Sequence, residues 1–446
     1  MQNGKEKNQK IENFKVTGGR KLSGIIRTNA SKNGAVGLLC AALLNRGRTR
    51  LHGISRIQEV FRMIEILESI GVSVKWIAPH SVEVVVPKKF NMSNLNKDAA
   101  IKTRSIIMIA GPLIHYLKDF RLPHAQGCKL GKRTVSAHIY GLEELGVKIK
   151  VTNQNYHIRT NKKLNPAEIV MYESGDTACE NLLTAAALIP GKTVIKFASP
   201  NYQVQEICFF LQKLGVRIDG WGTTTLTVHG LSKIPNKNIE YYNSEDPIES
   251  MMWITAAIVT NSKLQITRCP IDFLELELYK LKKMGLKYKI SEIYKAKNTH
   301  TNLADLTIMP SKLHALEDKI ESRPYPGINI DNLPFFGLIA ACAEGQTLIH
   351  DWVYENRAIY LTLLDRLGAS VLLADPHRVF IQGPTEWKPA QAVCPPALRP
   401  SVVLLLAMLA ANGTSILRNV YMINRGYENI VSRFNSIGAK IRSTED

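Results

Sequence analysis

Two patterns of apolar and polar positions recur along this chain and predict its elements. The first is a small-residue apolar helix, a glycine or polar turn, and then a short strand. It reads GLLCAALLNRGRTRLHGI from Gly37, LLTAAALIPGKTVIKF from Leu182, MMWITAAIVTNSKLQIT from Met251, FFGLIAACAEGQTLIHD from Phe335 and VLLLAMLAANGTSILRN from Val403. IIMIAGPLIHYLKDFRLP from Ile106 is a degenerate sixth copy. The second pattern is a helix ending in an apolar residue, then Gly, then a half-exposed strand, as in ILESIGVSVKW and LEELGVKIK. Its glycines are Gly71, Gly146, Gly215, Gly285, Gly368 and Gly438, spaced by 75, 69, 70, 83 and 70 residues. Each stands just past a last helical turn, where the chain takes the left-handed conformation. The alternation that follows each is that of a strand with one wet face. The chain therefore reads as six units of about 70 residues, each with two helices and several strands. Alanine-rich apolar helices pack closely, so three units per globule predict two similar domains, helices inside and sheets outside, with a site in the cleft between them.

Composition narrows the class. A length of 446 residues, 45% hydrophobic and 21% charged, fits a soluble multi-domain protein with a large core. The N-terminal MQNGKEKNQKIENF has no apolar run and is no secretory signal. The longest apolar run, SVVLLLAMLAA from Ser401, is too short to span a membrane and predicts a buried helix. Seven cysteines with no C-x-x-C pair argue against zinc ribbons and disulfide scaffolds and fit a reducing, cytoplasmic setting. No metal-ligand spacing is visible, and no cofactor is expected. The net charge of +19 is spread along the whole chain without a nucleic-acid motif. It predicts an anionic small-molecule ligand rather than nucleic acid or a membrane surface.

One cysteine stands apart. In HAQGCKLGKRTVSAH, residues 124–138, Cys128 lies in a glycine-bearing polar loop beside Lys129, Lys132 and Arg133. Fixed positive charge lowers a thiol pKa and favours the reactive thiolate; the plainer reading is a surface cysteine in a basic loop.

With these six units and this loop, the chain from Phe14 to Arg442 resembles the enolpyruvyl transferase superfamily. The resemblance implies an α/β fold, the inverse α/β prism, with two domains of βαβαββ-type units. The implied division puts 14–31 with 243–446 in one domain and 32–242 in the other. The second domain carries the cysteine loop 120–137, and residues 1–13 are a disordered charged tail. Within the superfamily, the loop is similar to the G-G-C-x-I-G-x-R-P of the UDP-N-acetylglucosamine enolpyruvyl transferase branch, with Cys128 and Arg133 in register. N-A-S-K-N resembles S-G-A-K-N and makes Lys32 a phosphoenolpyruvate ligand and Asn33 a contact to acceptor and intermediate. A lysine and asparagine opening a helix also form an ordinary anion site. K-T-R-S places Arg104 in the cleft.

N-I-D-N-L resembles P-T-D-M-Q and makes Asp331 the essential carboxylate and base, although the same residue would serve as a helix N-cap. E-N-R is retained as Glu355, Asn356 and Arg357, A-L-R-P-S keeps Arg399, and N-R-G-Y-E keeps Arg425. The implied chemistry protonates C3 of phosphoenolpyruvate from Cys128, which also forms an adduct with it. The acceptor hydroxyl attacks C2, and phosphate then leaves. Guanidinium forks suit both anionic groups of that substrate. The resemblance also implies the first committed step of peptidoglycan precursor synthesis, fosfomycin sensitivity and a monomer.

Departures cluster on the acceptor side. R-P-V-D-L-H becomes R-T-V-S-A-H, with Thr134 and Ser136 changed and His138 kept. D-K-V-S-V-G-A-T becomes Y-E-S-G-D-T-A-C, putting Glu173 where a diphosphate-holding lysine stands and leaving Asp176 and Thr177 in the loop. R-E-P-E becomes P-N-Y-Q from Pro200, and Ala397 replaces an aspartate. A carboxylate near a diphosphate repels it. Three readings stay open: transfer to UDP-N-acetylglucosamine, transfer to another hydroxyl acceptor such as a nucleotide, or a catalytically weak anion-binding relative.

Overall fold

A computed structural model describes residues 12–125, 135–160 and 163–445. Among them the strands form six separate sheets. One unit shows the plan: strand Glu168–Val170, helix Asp176–Ala186, strand Gly191–Lys196, helix Tyr202–Leu214, then strands Arg217–Asp219 and Thr225–Gly230. In the sheet the first two strands pair in parallel, and the last strand lies antiparallel between its neighbours. Five sheets share this order. The sixth holds three strands, Asp119–Pro123, Asn155–Arg159 and Lys148–Val151, and belongs to the degenerate copy. There Gly111 and Pro112 leave only the short helix Ala110–Leu113 behind a 3₁₀ turn.

All six glycines of the second pattern have φ between 92° and 103°. A side chain there would meet the left-handed penalty that glycine escapes.

Two units exchange their first strands. Ile25–Arg27 pairs in parallel with Leu264–Pro270, and Ile239–Tyr242 with Arg48–His52. The N-terminal strand Glu12–Gly18 completes the last unit, between Gly413–Arg418 and Ile441–Glu445. It begins at Glu12, inside the segment read from the sequence as tail. Glu12 accepts a hydrogen bond from Asn424 Nδ2, and Asn13 Oδ1 from the Asn419 N–H, which ties this end down. Residues 1–11 lie outside the described residues.

The helices are the interior. Lys32–Ala41, Pro247–Val259 and Leu398–Ala410 are buried around most of their circumference, as expected for helices apolar on every side. One core gathers apolar side chains from Ala35 to Tyr241; the other gathers Phe14 to Ile26 with Ile248 to Ile441. The run from Ser401 is the buried helix expected, and no described helix is long and apolar enough to cross a membrane.

The chain passes between the two lobes at 28–31 and 243–246, and the crossings are laced together. Ser31 N–H donates to Ser244 O at 2.7 Å, Asp246 N–H to Asn29 O at 2.8 Å, and Asn243 Nδ2 to Ser31 O at 2.8 Å. Each crossing ends in a capped helix. Ser31 accepts from Gly34 N, and Asp246 from Ile248 and Glu249 N with Pro247 following. This double crossing aims both helix N-termini into the cleft.

Candidate active site

The cleft between the lobes has a volume of about 630 Å³, within the usual range for a ligand site. Lys32 sits at the first helical position of Lys32–Ala41, where its backbone N–H reaches Asp246 Oδ2 at 3.3 Å. Its Nζ meets Glu59 Oε2 at 3.1 Å. Arg425, from the other lobe, reaches the same oxygen at 3.5 Å. Burial alone would raise the Glu59 pKa, but Lys32 and Arg425 outweigh it and hold the carboxyl at about 2. A carboxylate depressed in the folded state stabilises the fold above its unfolded pKa, and that contribution is lost as pH falls through the folded value. The window here runs from about 4.5 down to about 2. Glu59→Gln is therefore expected to remove on the order of 3 kcal/mol at neutral pH and to flatten acid unfolding across that window. Acid titration followed by circular dichroism checks this; an unchanged acid midpoint overturns it.

On the facing wall, Asp331 lies in the turn before helix Leu333–Ala340. Its N–H is held by Asn329 Oδ1 at 2.9 Å. The N-cap position belongs to Asn332, so Asp331 is not the cap that its sequence position suggested. Its carboxylate instead faces two guanidinium groups, Arg399 Nη2 at 3.3 Å and Arg357 Nη1 at 3.8 Å. Arg399 is buried at the start of Leu398–Ala410 and also donates to Tyr427 OH. Ala397 occupies that helix's N-cap and supplies no side-chain acceptor. Arg357 is committed more deeply than a free substrate fork. Its Nε and Nη2 bind Asp351, and Nη2 also donates to Ile330 O at 2.6 Å.

The residues expected on the acceptor side also line this cleft. Asn181 Oδ1 accepts from Gly111 N–H at 2.7 Å, which turns its Nδ2 towards His138 Nδ1 at 3.1 Å. His138 then carries its proton on Nε2, 3.4 Å from Thr177 Oγ1. Burial, with help from Arg104, lowers the His138 pKa to about 3, so the ring is neutral at physiological pH. Asp176 opens its helix and is gripped by Ser199 Oγ and by Asn201 Nδ2, the latter at 2.9 Å. Burial raises its pKa, the two hydrogen bonds oppose that, and Asp331 adds to it. Asn33 Nδ2 reaches Tyr202 OH at 3.0 Å and Gln203 Oε1 at 3.1 Å. Arg104 and Glu173 line the same cleft.

Lys32, Asn33, Arg104, His138, Asp176, Thr177, Asp331, Arg357, Arg399 and Arg425 thus line one space. Cys128 and Arg133, with Thr134, lie outside the described residues. Burial raises four other thiols, Cys208, Cys269, Cys342 and Cys394, to about 12, which suppresses thiolate there. The sequence reading missed Glu59, Glu180, Asp351 and Arg323, and gave no role to Lys102 and Gln203 within K-T-R-S and P-N-Y-Q. For Glu180 a signal existed: a single acid near the start of the apolar stretch ACENLLTAAAL.

Residues 16–434 match the model of the EPSP synthase (3-phosphoshikimate 1-carboxyvinyltransferase) family, and the chain belongs to that family of carboxyvinyl transferases. It is 32% identical over 438 residues to UDP-N-acetylglucosamine 1-carboxyvinyltransferase of Treponema denticola, covering 98% of this chain and all of the relative. It is 31% identical to the protein of that name from Bradyrhizobium diazoefficiens, covering 96% of this chain and 97% of the relative. The crystal structure of the enolpyruvyl transferase NikO from Streptomyces tendae superposes with a TM-score of 0.82 at 23% identity, covering 98% of this chain and all of that one. EPSP synthase from Acinetobacter baumannii gives 0.74 at 17%, covering 97% of this chain and all of that one. Both share the fold.

Proposed function

We propose that this protein transfers the enolpyruvyl group of phosphoenolpyruvate to the 3-hydroxyl of UDP-N-acetylglucosamine and releases phosphate, the step that commits this sugar to peptidoglycan precursors. The observation that carries the reaction is Asp331, a carboxylate held between Arg399 and Arg357 in the cleft that Lys32 and Arg425 also line. The carboxylate takes the acceptor's hydroxyl proton as oxygen attacks C2. The cationic groups receive the carboxylate and phosphate of phosphoenolpyruvate. Cys128 is assigned the proton delivered to C3. Closing of the lobes would strengthen these interactions by excluding water. The full-length similarity to the Treponema denticola and Bradyrhizobium diazoefficiens transferases supports the acceptor.

A second reading, transfer to another hydroxyl acceptor such as a nucleotide, is favoured by Glu173 and Asp176 on the acceptor side of the cleft. The test is phosphate release from phosphoenolpyruvate with UDP-N-acetylglucosamine and then a nucleotide panel, for wild type and Cys128→Ser. Release with the nucleotide sugar, slowed at least about tenfold in the variant, is expected. Release only with another acceptor selects the second reading. Silence from folded protein with every acceptor leaves an anion-binding relative, the reading that Ala397 favours.

A further inference from the structure

Glu180 is a buried acid that the reaction above does not use. It lies on helix Asp176–Ala186, is 1% exposed, and lines the same cleft as Asn33. Its Oε1 accepts from Gln203 Nε2 at 2.8 Å. Gln203 Oε1 accepts in turn from Asn33 Nδ2 at 3.1 Å, and Tyr202 OH stands 3.0 Å from the same nitrogen. The polarity of this chain is set at its inner end. The Glu180 oxygen facing Gln203 accepts the amide's N–H, and the Gln203 oxygen is thereby turned towards Asn33. Asn33 then commits its Nδ2 to Gln203 and Tyr202.

The packing is built around the acid. Gly37 lies inside helix Lys32–Ala41, where glycine is less favourable than alanine. A Cβ there would stand 2.6 Å from Glu180 Oε2. Burial drives the Glu180 pKa well above the usual carboxylate range, opposed by the Gln203 hydrogen bond and reinforced by Asp176.

We propose that Glu180 is a positioning residue of the acceptor site: through Gln203 it fixes the side-chain amide of Asn33, so that Asn33 offers its Oδ1, a hydrogen-bond acceptor, to a hydroxyl or amide N–H of the bound acceptor. The assignment rests on the acceptor-binding role given to Asn33 above. Because the link is a hydrogen bond accepted by an oxygen, Glu180→Gln, which keeps an oxygen acceptor of the same reach, preserves it, whereas Glu180→Leu leaves Gln203 free to rotate.

The test compares these two variants with wild type in the phosphate-release assay, using UDP-N-acetylglucosamine as the acceptor. Glu180→Leu is expected to raise the acceptor KM roughly tenfold, with the phosphoenolpyruvate KM within about twofold, and Glu180→Gln to behave as wild type. An unchanged acceptor KM in Glu180→Leu overturns the proposal. So does a parallel rise in both KM values, or a Glu180→Gln as impaired as Glu180→Leu. Gln203→Leu replaces Glu180→Leu if the latter does not fold. A second readout needs no turnover: in protein labelled with ¹⁵N-asparagine, the Asn33 side-chain amide protons exchange slowly in wild type and Glu180→Gln and fast in Glu180→Leu. If wild type releases no phosphate, the functional reading fails, while the exchange measurement still supports or overturns the network.

Discussion

An Asp331→Asn variant is expected to lose roughly 10²–10⁴-fold in kcat for enolpyruvyl transfer, the range associated with a positioned general base, with little change in unfolding temperature. Asparagine matches aspartate in shape and keeps an oxygen for Arg399. The side chain is 30% exposed, so no core cavity opens. The turn is held by the Asn329 side chain on the Asp331 N–H, and the N-cap position belongs to Asn332. What changes is charge and basicity. The amide cannot take the acceptor's proton. Arg399 and Arg357 lose the carboxylate that faces them, which leaves the cleft more cationic. An anionic substrate gains from that, so the phosphoenolpyruvate KM should stay level or fall while kcat collapses. Phosphate release under saturation, with unfolding followed in parallel, measures both. A kcat within about threefold of wild type would move the base to another residue.

The repeat was legible because its signals are local. A glycine after a helical turn reports its own backbone angle, and all six bear this out. Apolar periodicity likewise located the buried helices. The exchange of first strands between units was less visible, since Ile25–Arg27 and Ile239–Tyr242 are short and their partners lie far away in the chain. The unit at Ile106 departs from its siblings at Gly111–Pro112, which the sequence showed as degeneracy without saying that a 3₁₀ turn and a four-residue helix would result.

The basic residues of the site could be read one at a time against a family pattern. Their acidic partners could not. The Lys32 ammonium and Arg425 share Glu59, while the Lys32 backbone N–H meets Asp246 across 214 residues, and no motif names either acid. The excess of lysine and arginine pointed to anionic ligands. It concealed that Glu59, Asp246 and Asp351 already engage much of the cleft's charge or its helix ends. Arg357 illustrates the difference: in the sequence it is one of several equivalent clamp residues, and in the structure it is bonded inside its own lobe to Asp351 and Ile330.

That bonding makes the loss of Arg357 costly to stability. Its side chain is 2% exposed and that of Asp351 3%. The Arg357 Nε and Nη2 both bind the Asp351 carboxylate, and the Tyr354 ring packs 4.1 Å from the guanidinium carbon. Removing one member of a buried pair strands the other's charge, at about 3–5 kcal/mol. Arg357→Leu is therefore expected to lower the unfolding temperature on the order of 10 °C. Arg357→Lys should recover only part of this, because an ammonium keeps the charge but not the two-pronged geometry. The double variant Arg357→Leu with Asp351→Leu should be less destabilised than Arg357→Leu alone, since no charge is then left buried. A double-mutant cycle by urea unfolding gives the coupling directly, and a coupling near zero would mean that the pair is not the source of the stability. The same bonds reach the chemistry. Nη2 also holds Ile330 O, one residue before Asp331, so loosening Arg357 releases the turn that aims the carboxylate proposed as the base. Activity in Arg357→Lys should accordingly fall further than its stability, because a small shift of Asp331 is enough to spoil proton transfer even where the fold survives.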